Sequence, residues 1–160
     1  RDRKLSGDKV FLYCLLTNHF HLLVEVKSID SISKMMQKLQ VSHARYLNLK
    51  YKMIGRIFQN RFKAVHIESD TQMRILTRYI HRNPIEYYGG NSDLLRDYRW
   101  SSYSDYLNTR LKSPITKSSK KKILDLFESR SDYLEYIHAD EVIHQKMILS
   151  NTISISRPAT

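Results

Sequence analysis

The sequence predicts an α+β fold: an antiparallel sheet formed early in the chain, with helices packed on it. Three observations predict it. Residues 10–26 carry strand patterns, residues 31–50 and about 71–83 switch to helical spacing, and two shorter helical patterns follow after residue 120. A chain of 160 residues with 41% hydrophobic content can build one sizeable core and a small appended unit.

Val10 to Leu16 is nearly continuously apolar, the pattern of a buried strand. After Thr17-Asn18, Phe20, Leu22, Val24 and Val26 fall on one face and His19, His21, Leu23 and Glu25 on the other. Residues 10–26 are compatible with one long strand or with two segments and an irregularity near Asn18. Either way both histidines share a face, roughly 6–7 Å apart along the strand. In 31–50, Ile32, Met35, Met36, Leu39, His43, Tyr46 and Leu47 recur every three or four residues without Gly or Pro. Gly55 breaks the pattern, and Arg56 to Lys63 mixes aromatic and basic residues. Val65 and Ile67 suggest a short strand, with Ser69 or Asp70 capping the next helix. That helix is expected to end before Pro84, with Met73, Leu76, Thr77 and Ile80 inward and Tyr79 and Asn83 together at the border of the stripe.

Gly89-Gly90 marks a turn. Residues 97–106 are rich in aromatic and hydroxyl groups, and Trp100 and Tyr103 are expected to pack rather than bind a base. Pro114 and the Lys/Ser run 117–122 suggest a linker or basic loop. The short helical patterns use Ile123, Leu126 and Phe127, then Leu134, Tyr136 and Ile137. The domains expected are 1–111, a helical extension at 112–150, and a mobile tail at 151–160.

Twenty-seven Lys and Arg against 16 Asp and Glu give a net charge of +11 and a pI near 9.8, which favours a polyanionic partner, nucleic acid before an anionic membrane. No apolar run approaches the length of a membrane span. Cys14, the single cysteine, forms no internal disulfide and lies in an apolar run as filler. The charged opening Arg1-Asp2-Arg3-Lys4 does not have the form of a signal peptide.

Side chains two apart on a strand point the same way, so His19 and His21 could share one cation, with carboxylate or amide oxygens completing a shell for Mg²⁺, Mn²⁺ or Zn²⁺. Alone, the pair equally suits a structural or surface role. Zinc-finger and His-Glu-x-x-His readings lack their required partners. Tyr79 is a nucleophile only if its hydroxyl reaches a stabilised electrophile such as a phosphodiester, and Asn83 shares its face. Ordinary packing of Tyr79 and a helix-end role for Asn83 are the alternatives. Arg56, Arg61 and Lys63 could contact phosphates with Phe58 or Phe62 beneath them or stacked on a base. Alternatively, both phenylalanines are core and the charges snorkel.

In order along the chain come Leu16-Thr17-Asn18-His19-Phe20-His21-Leu22-Leu23-Val24, Met36-Gln37, Tyr46-Leu47-Asn48 and Gly55-Arg56-Ile57-Phe58-Gln59-Asn60-Arg61-Phe62-Lys63. Arg78-Tyr79-Ile80-His81-Arg82-Asn83-Pro84 and Trp100-Ser101-Ser102-Tyr103 follow. This series resembles the small single-tyrosine transposases with a histidine-hydrophobic-histidine pair, especially their repeat-associated branch. The likeness spans about residues 10–107, with a weaker one from Ile123 onward.

The resemblance implies a metal-dependent enzyme that cleaves and rejoins single-stranded DNA near hairpins through a 5′-phosphotyrosine. Tyr79 would be the nucleophile, and His19, His21 and Asn83 the ligands of a divalent ion, Mg²⁺ or Mn²⁺. It further implies a ferredoxin-like antiparallel sheet, a homodimer, no nucleotide cofactor and a cytoplasmic, DNA-associated place in a prokaryote. Family members carry a strand and a helix ahead of the segment near Val10, so the expectation is that these are missing here and that the edges beside the histidine strand are unpaired, or that another copy completes the sheet. A nucleic-acid-binding protein that no longer cuts, a hydrolytic metal-dependent nuclease, and a relaxase or replication-initiation nicking enzyme are the competing readings.

Overall fold

The computed structural model describes residues 8–89 and 91–139. It is an α+β arrangement of one small antiparallel sheet and several packed helices. The expected tail at 151–160 and the end of the 112–150 extension lie outside the described residues.

Residues 10–26 form two strands. β1 (Lys9–Leu15) pairs antiparallel with β2 (Phe20–Glu25), and the Leu16 N–H donates to the His19 carbonyl at 2.9 Å to close the turn. A register shift between Val10 and Leu12 marks a bulge at Phe11. Phe11 and Leu12 are consequently both buried in the same core although they are neighbours. The segment 98–102 covers the other edge of β1. The Leu15 N–H donates to the Trp100 carbonyl at 2.9 Å, and the Ser102 N–H to the Tyr13 carbonyl at 2.8 Å. Among the described residues the outer edge of β2 pairs with no strand. The short strand expected at Val65 and Ile67 is absent: 61–69 is irregular, and Ile67 packs into the core as a partly buried side chain.

Each face of the hairpin carries its own apolar cluster. Phe20, Leu22, Val24 and Val26 pack on Ile32, Met35 and Met36 of α1 (Ile29–Tyr51), whose N-cap Ser28 accepts from the Ser31 N–H at 3.3 Å. Only the first half of the apolar stripe of α1 is buried this way; Leu39 and Tyr46 are 40% and 54% exposed. The opposite face, with Leu12, Cys14 and Leu23, packs against α2 (Asp70–Tyr88). Cys14 is fully buried, and burial pushes its thiol up to about 12.

Ser69 caps α2, accepting from the Gln72 N–H at 3.1 Å. The helix does not stop before Pro84; it continues to Tyr88 and ends at Gly89, whose φ of 72° suits glycine. An internal proline removes one helical hydrogen bond and crowds the preceding turn, at a cost of about 3 kcal/mol in an exposed helix. Here Ile80, His81, Asn83 and Pro84 are all buried, so tertiary packing offsets that cost.

Two short helices follow, α3 (Asp93–Asp97) and α4 (Tyr103–Tyr106). The Lys/Ser run is a helix rather than a linker. Thr116 caps α5 (Lys117–Leu124), its hydroxyl accepting from the Ser119 N–H at 3.1 Å, while Ile123 points into the core. Ser129 caps α6 (Arg130–His138) in the same way. Ile123, Phe127, Tyr133 and Ile137 join the cluster that holds Leu12 and Ile80, so these helices share the core of the α2 face. At the C-terminus of α6 the Arg82 guanidinium donates to the carbonyls of Ile137 (3.0 Å) and Ala139 (3.3 Å), and Arg78 donates to Ala139 as well. Both cations meet the negative end of that helix.

Candidate active site

The hairpin presents His19 and His21 toward α2. Their rings lie 5.0 Å apart, edge to face, and the ring of Tyr79 lies 5.1 Å from that of His21. Asn83 lies one turn beyond Tyr79 on α2, near enough to His19 and Tyr79 to bear on the titration of both. The structure thus brings together four residues drawn from two distant segments. His21 and Asn83 are buried, and His19 and Tyr79 are partly exposed.

Burial raises the Tyr79 phenol above its ordinary range; the hydrogen bond from Asn83 opposes this and the charge of Glu86 adds to it. Burial lowers His19 below the usual imidazole value, against the hydrogen bond with Asn83. At neutral pH the cluster therefore holds a protonated phenol beside a neutral imidazole. His19 is further held by Asn18, with Nδ1 and Oδ1 2.6 Å apart.

The pattern Tyr79, Asn83 has a third member, Tyr87, that ending the helix at Pro84 conceals. Its ring lies 5.4 Å from His19, and its hydroxyl accepts from Thr17 at 3.2 Å. Positions i, i+4 and i+8 form one row along a helix, so the signal is present once α2 is carried through the proline.

A buried polar network sets the rotation of α2. Ser102 Oγ donates to the Tyr13 carbonyl at 3.1 Å and accepts the Tyr13 N–H at 3.0 Å. Its one proton is used there, so His81 Nε2–H donates to it at 3.0 Å. His81 Nδ1 then accepts from the Tyr133 hydroxyl at 2.9 Å. This chain ties β1, α2, the start of α4 and α6 together two residues from Tyr79.

The divalent ion, Mg²⁺ or Mn²⁺, expected at His19, His21 and Asn83 is corrected. Among the described residues no three His, Cys, Asp or Glu side chains gather where one ion could reach them. Mg²⁺ and Mn²⁺ favour several oxygen ligands, carboxylates above all. The cluster offers two imidazoles, a phenol and one neutral amide.

Arg56, Arg61 and Lys63 are exposed on the irregular segment after α1, while Phe58 and Phe62 pack on the α1 cluster. Both phenylalanines are thus partly buried on that cluster, with cations outward beside them. Tyr103 packs as expected, at 1% exposure. Trp100 does not: it is 51% exposed, because its backbone, not its ring, is what binds β1.

No helix among the described residues is long and apolar enough to cross a membrane. Comparison with curated proteins and with solved structures gave no match. Residues 5–83, about half of the chain, match the family model described as "Transposase IS200 like". The match takes in the hairpin, α1 and the part of α2 that holds Tyr79 and Asn83, and the chain belongs to this family of tyrosine-transposase-like proteins.

Proposed function

We propose that the protein cleaves and rejoins single-stranded DNA by transesterification, with Tyr79 as the nucleophile. The observation that carries this reading is the convergence of Tyr79 with His21 at 5.1 Å, with Asn83 one turn along the same helix. The phenol oxygen bonds to the scissile phosphorus as the bond to the 3′ oxygen breaks, leaving a 5′-phosphotyrosine and a free 3′-OH. The phenol proton passes to the histidine pair and from there to the departing 3′ oxygen. Asn83, one turn along the same face of α2, stabilises the charge that develops on the attacking oxygen by donating to it. One phosphodiester replaces another, so the reverse step rejoins a strand without ATP. The substrate in this reading is a strand bearing hairpins. The assembly is a homodimer, for which the exposed Val41 and Leu49 of α1 offer apolar surface. A ferredoxin-like arrangement is the finer fold reading, supported by the hairpin that leads into a long helix covering one sheet face.

The test is a denaturing gel of a 3′-labelled hairpin oligonucleotide incubated with the full chain. Label that migrates with protein is the expected result; released 5′-phosphate with no protein attached would assign a hydrolytic nuclease instead. The yield of adduct should fall on acidification, over a range below the ordinary imidazole value. The neutral form of His19 is the proton acceptor here, and its lowered pKa keeps that form populated at neutral pH. A yield rising toward acid would argue against imidazole as the base.

Arg56, Arg61 and Lys63 are the phosphate contacts in this reading, supported by their exposure and the +11 charge. Affinity for a labelled hairpin strand should fall steeply with salt. Replacing all three by Gln should flatten the log–log slope by about 2, at roughly 0.7 per contact on a single strand. An unchanged slope places the contacts elsewhere.

A further inference from the structure

The half of α1 that leaves the sheet, the hairpin turn and the segment 98–100 enclose a cavity of about 940 Å³, within the range of small-molecule sites. Phe58, Tyr88, Tyr98 and Trp100 line it, and His19 forms part of its wall. It therefore adjoins the Tyr79 cluster, and a file of rings joins the two. Neighbouring centroids are 5.1 Å apart for Tyr79 and His21, 5.0 Å for His21 and His19, 5.4 Å for His19 and Tyr87, 4.8 Å for Tyr87 and Tyr88, and 5.9 Å for Tyr88 and Tyr98. Trp100 also lines a second cavity, of about 520 Å³, whose wall includes Arg99 and Arg110. The Arg99 guanidinium sits 4.8 Å from the indole centroid and is exposed. Arg110 is spent internally, on Ser104 Oγ and on the carbonyls of Arg99 and Ser101.

One exposed indole thus separates an aromatic cavity from an outward-facing cation. Flat apolar rings on one side and positive charge on the other match the two halves of a nucleotide. We propose that the cavity takes an unstacked nucleobase of the single strand, next to the phosphate presented to Tyr79, while Arg99 holds a neighbouring phosphate. This rests on the single-strand reading above and adds to it where the bases go. Stacking is tolerant of base identity, so the cavity would bind a base without fixing the target sequence.

Trp100 is the chain's single tryptophan, so its emission reports on the wall between these two cavities. The full chain is titrated with a short single-stranded oligonucleotide and with the same strand made abasic, and adduct formation is followed in parallel. Saturable change in Trp100 emission with the first strand and not the second is the expected result. In anisotropy titrations Trp100→Ala and Tyr88→Leu should each weaken binding about tenfold, with unchanged circular dichroism. Adduct formation with silent emission, and with Trp100→Ala binding as tightly as wild type, removes the cavity and leaves the nicking reading intact. Emission that changes with protein concentration alone gives the cavity to a second copy and overturns the proposal. If neither emission nor adduct responds to any strand, both readings fall together.

Discussion

Replacing Tyr79 by phenylalanine is expected to abolish the covalent DNA adduct while DNA affinity stays within about threefold, because only the attacking oxygen is removed. The ring that packs 5.1 Å from His21 remains, so the cluster keeps its shape. Buried Asn83, one turn along the helix, loses only a nearby polar atom. The check is the 3′-labelled denaturing gel run beside an anisotropy titration of the same oligonucleotide. A variant that still carries label would move the nucleophile to another of the chain's eleven tyrosines. Loss of binding together with loss of adduct would make Tyr79 a packing residue.

Acid should unfold this protein through His81. Its ring is fully buried between Tyr133 and Ser102, and burial lowers its pKa from the ordinary 6.5 to about 3. The unfolded chain therefore binds a proton between those two values that the folded chain refuses. Stability is full above pH 6.5, declines as pH falls through that window, and loses no more to this group below about pH 3. The whole effect is roughly 4–5 kcal/mol, of which roughly 3 kcal/mol is lost by pH 4. That is a large share of a domain's usual 5–15 kcal/mol. Urea unfolding followed by circular dichroism at pH 7, 5 and 4 measures it. His81→Gln keeps one polar contact and cannot titrate, so it should start roughly 1–3 kcal/mol lower at pH 7 yet decline less on acidification. Stability that holds level from pH 7 to pH 5 would mean that the ring protonates inside the fold.

The sequence made the hairpin and the two long helices legible because their periods differ: two for Phe20 to Val26, three and four for Ile32 to Leu47 and Met73 to Ile80. The same periods put His19 with His21 and Tyr79 with Asn83. What joined the pairs across about 60 residues was the resemblance, since periodicity says nothing about which faces meet. Pro84 misled for a local reason. Proline lowers the odds of a helix wherever it stands, and only burial of the turn around it, a tertiary fact, reverses that. The Lys/Ser run misled likewise, since Ile123 and Leu124 are too few to show a stripe. The aromatic cavity was illegible because its walls come from the hairpin turn, α1, the end of α2 and residues 98–100. The metal expectation came from the resemblance and from the spacing of the two histidines, neither of which shows what other donors stand near them.

The seven residues from Arg78 to Pro84 occupy two turns of helix, and each side of those turns answers to a different neighbour. Tyr79 and Asn83 meet the histidine pair, Ile80 the core, His81 the Ser102–Tyr133 network, and Arg78 with Arg82 the end of α6. No position in the stretch can drift without loosening one of these four attachments. A screen that scores only survival of activity would mark nearly every one of them as indispensable, chemistry and scaffolding alike. Measuring folded fraction and turnover separately would tell the two kinds of residue apart, with Tyr79, and to a smaller degree Asn83, expected to lose turnover while remaining folded.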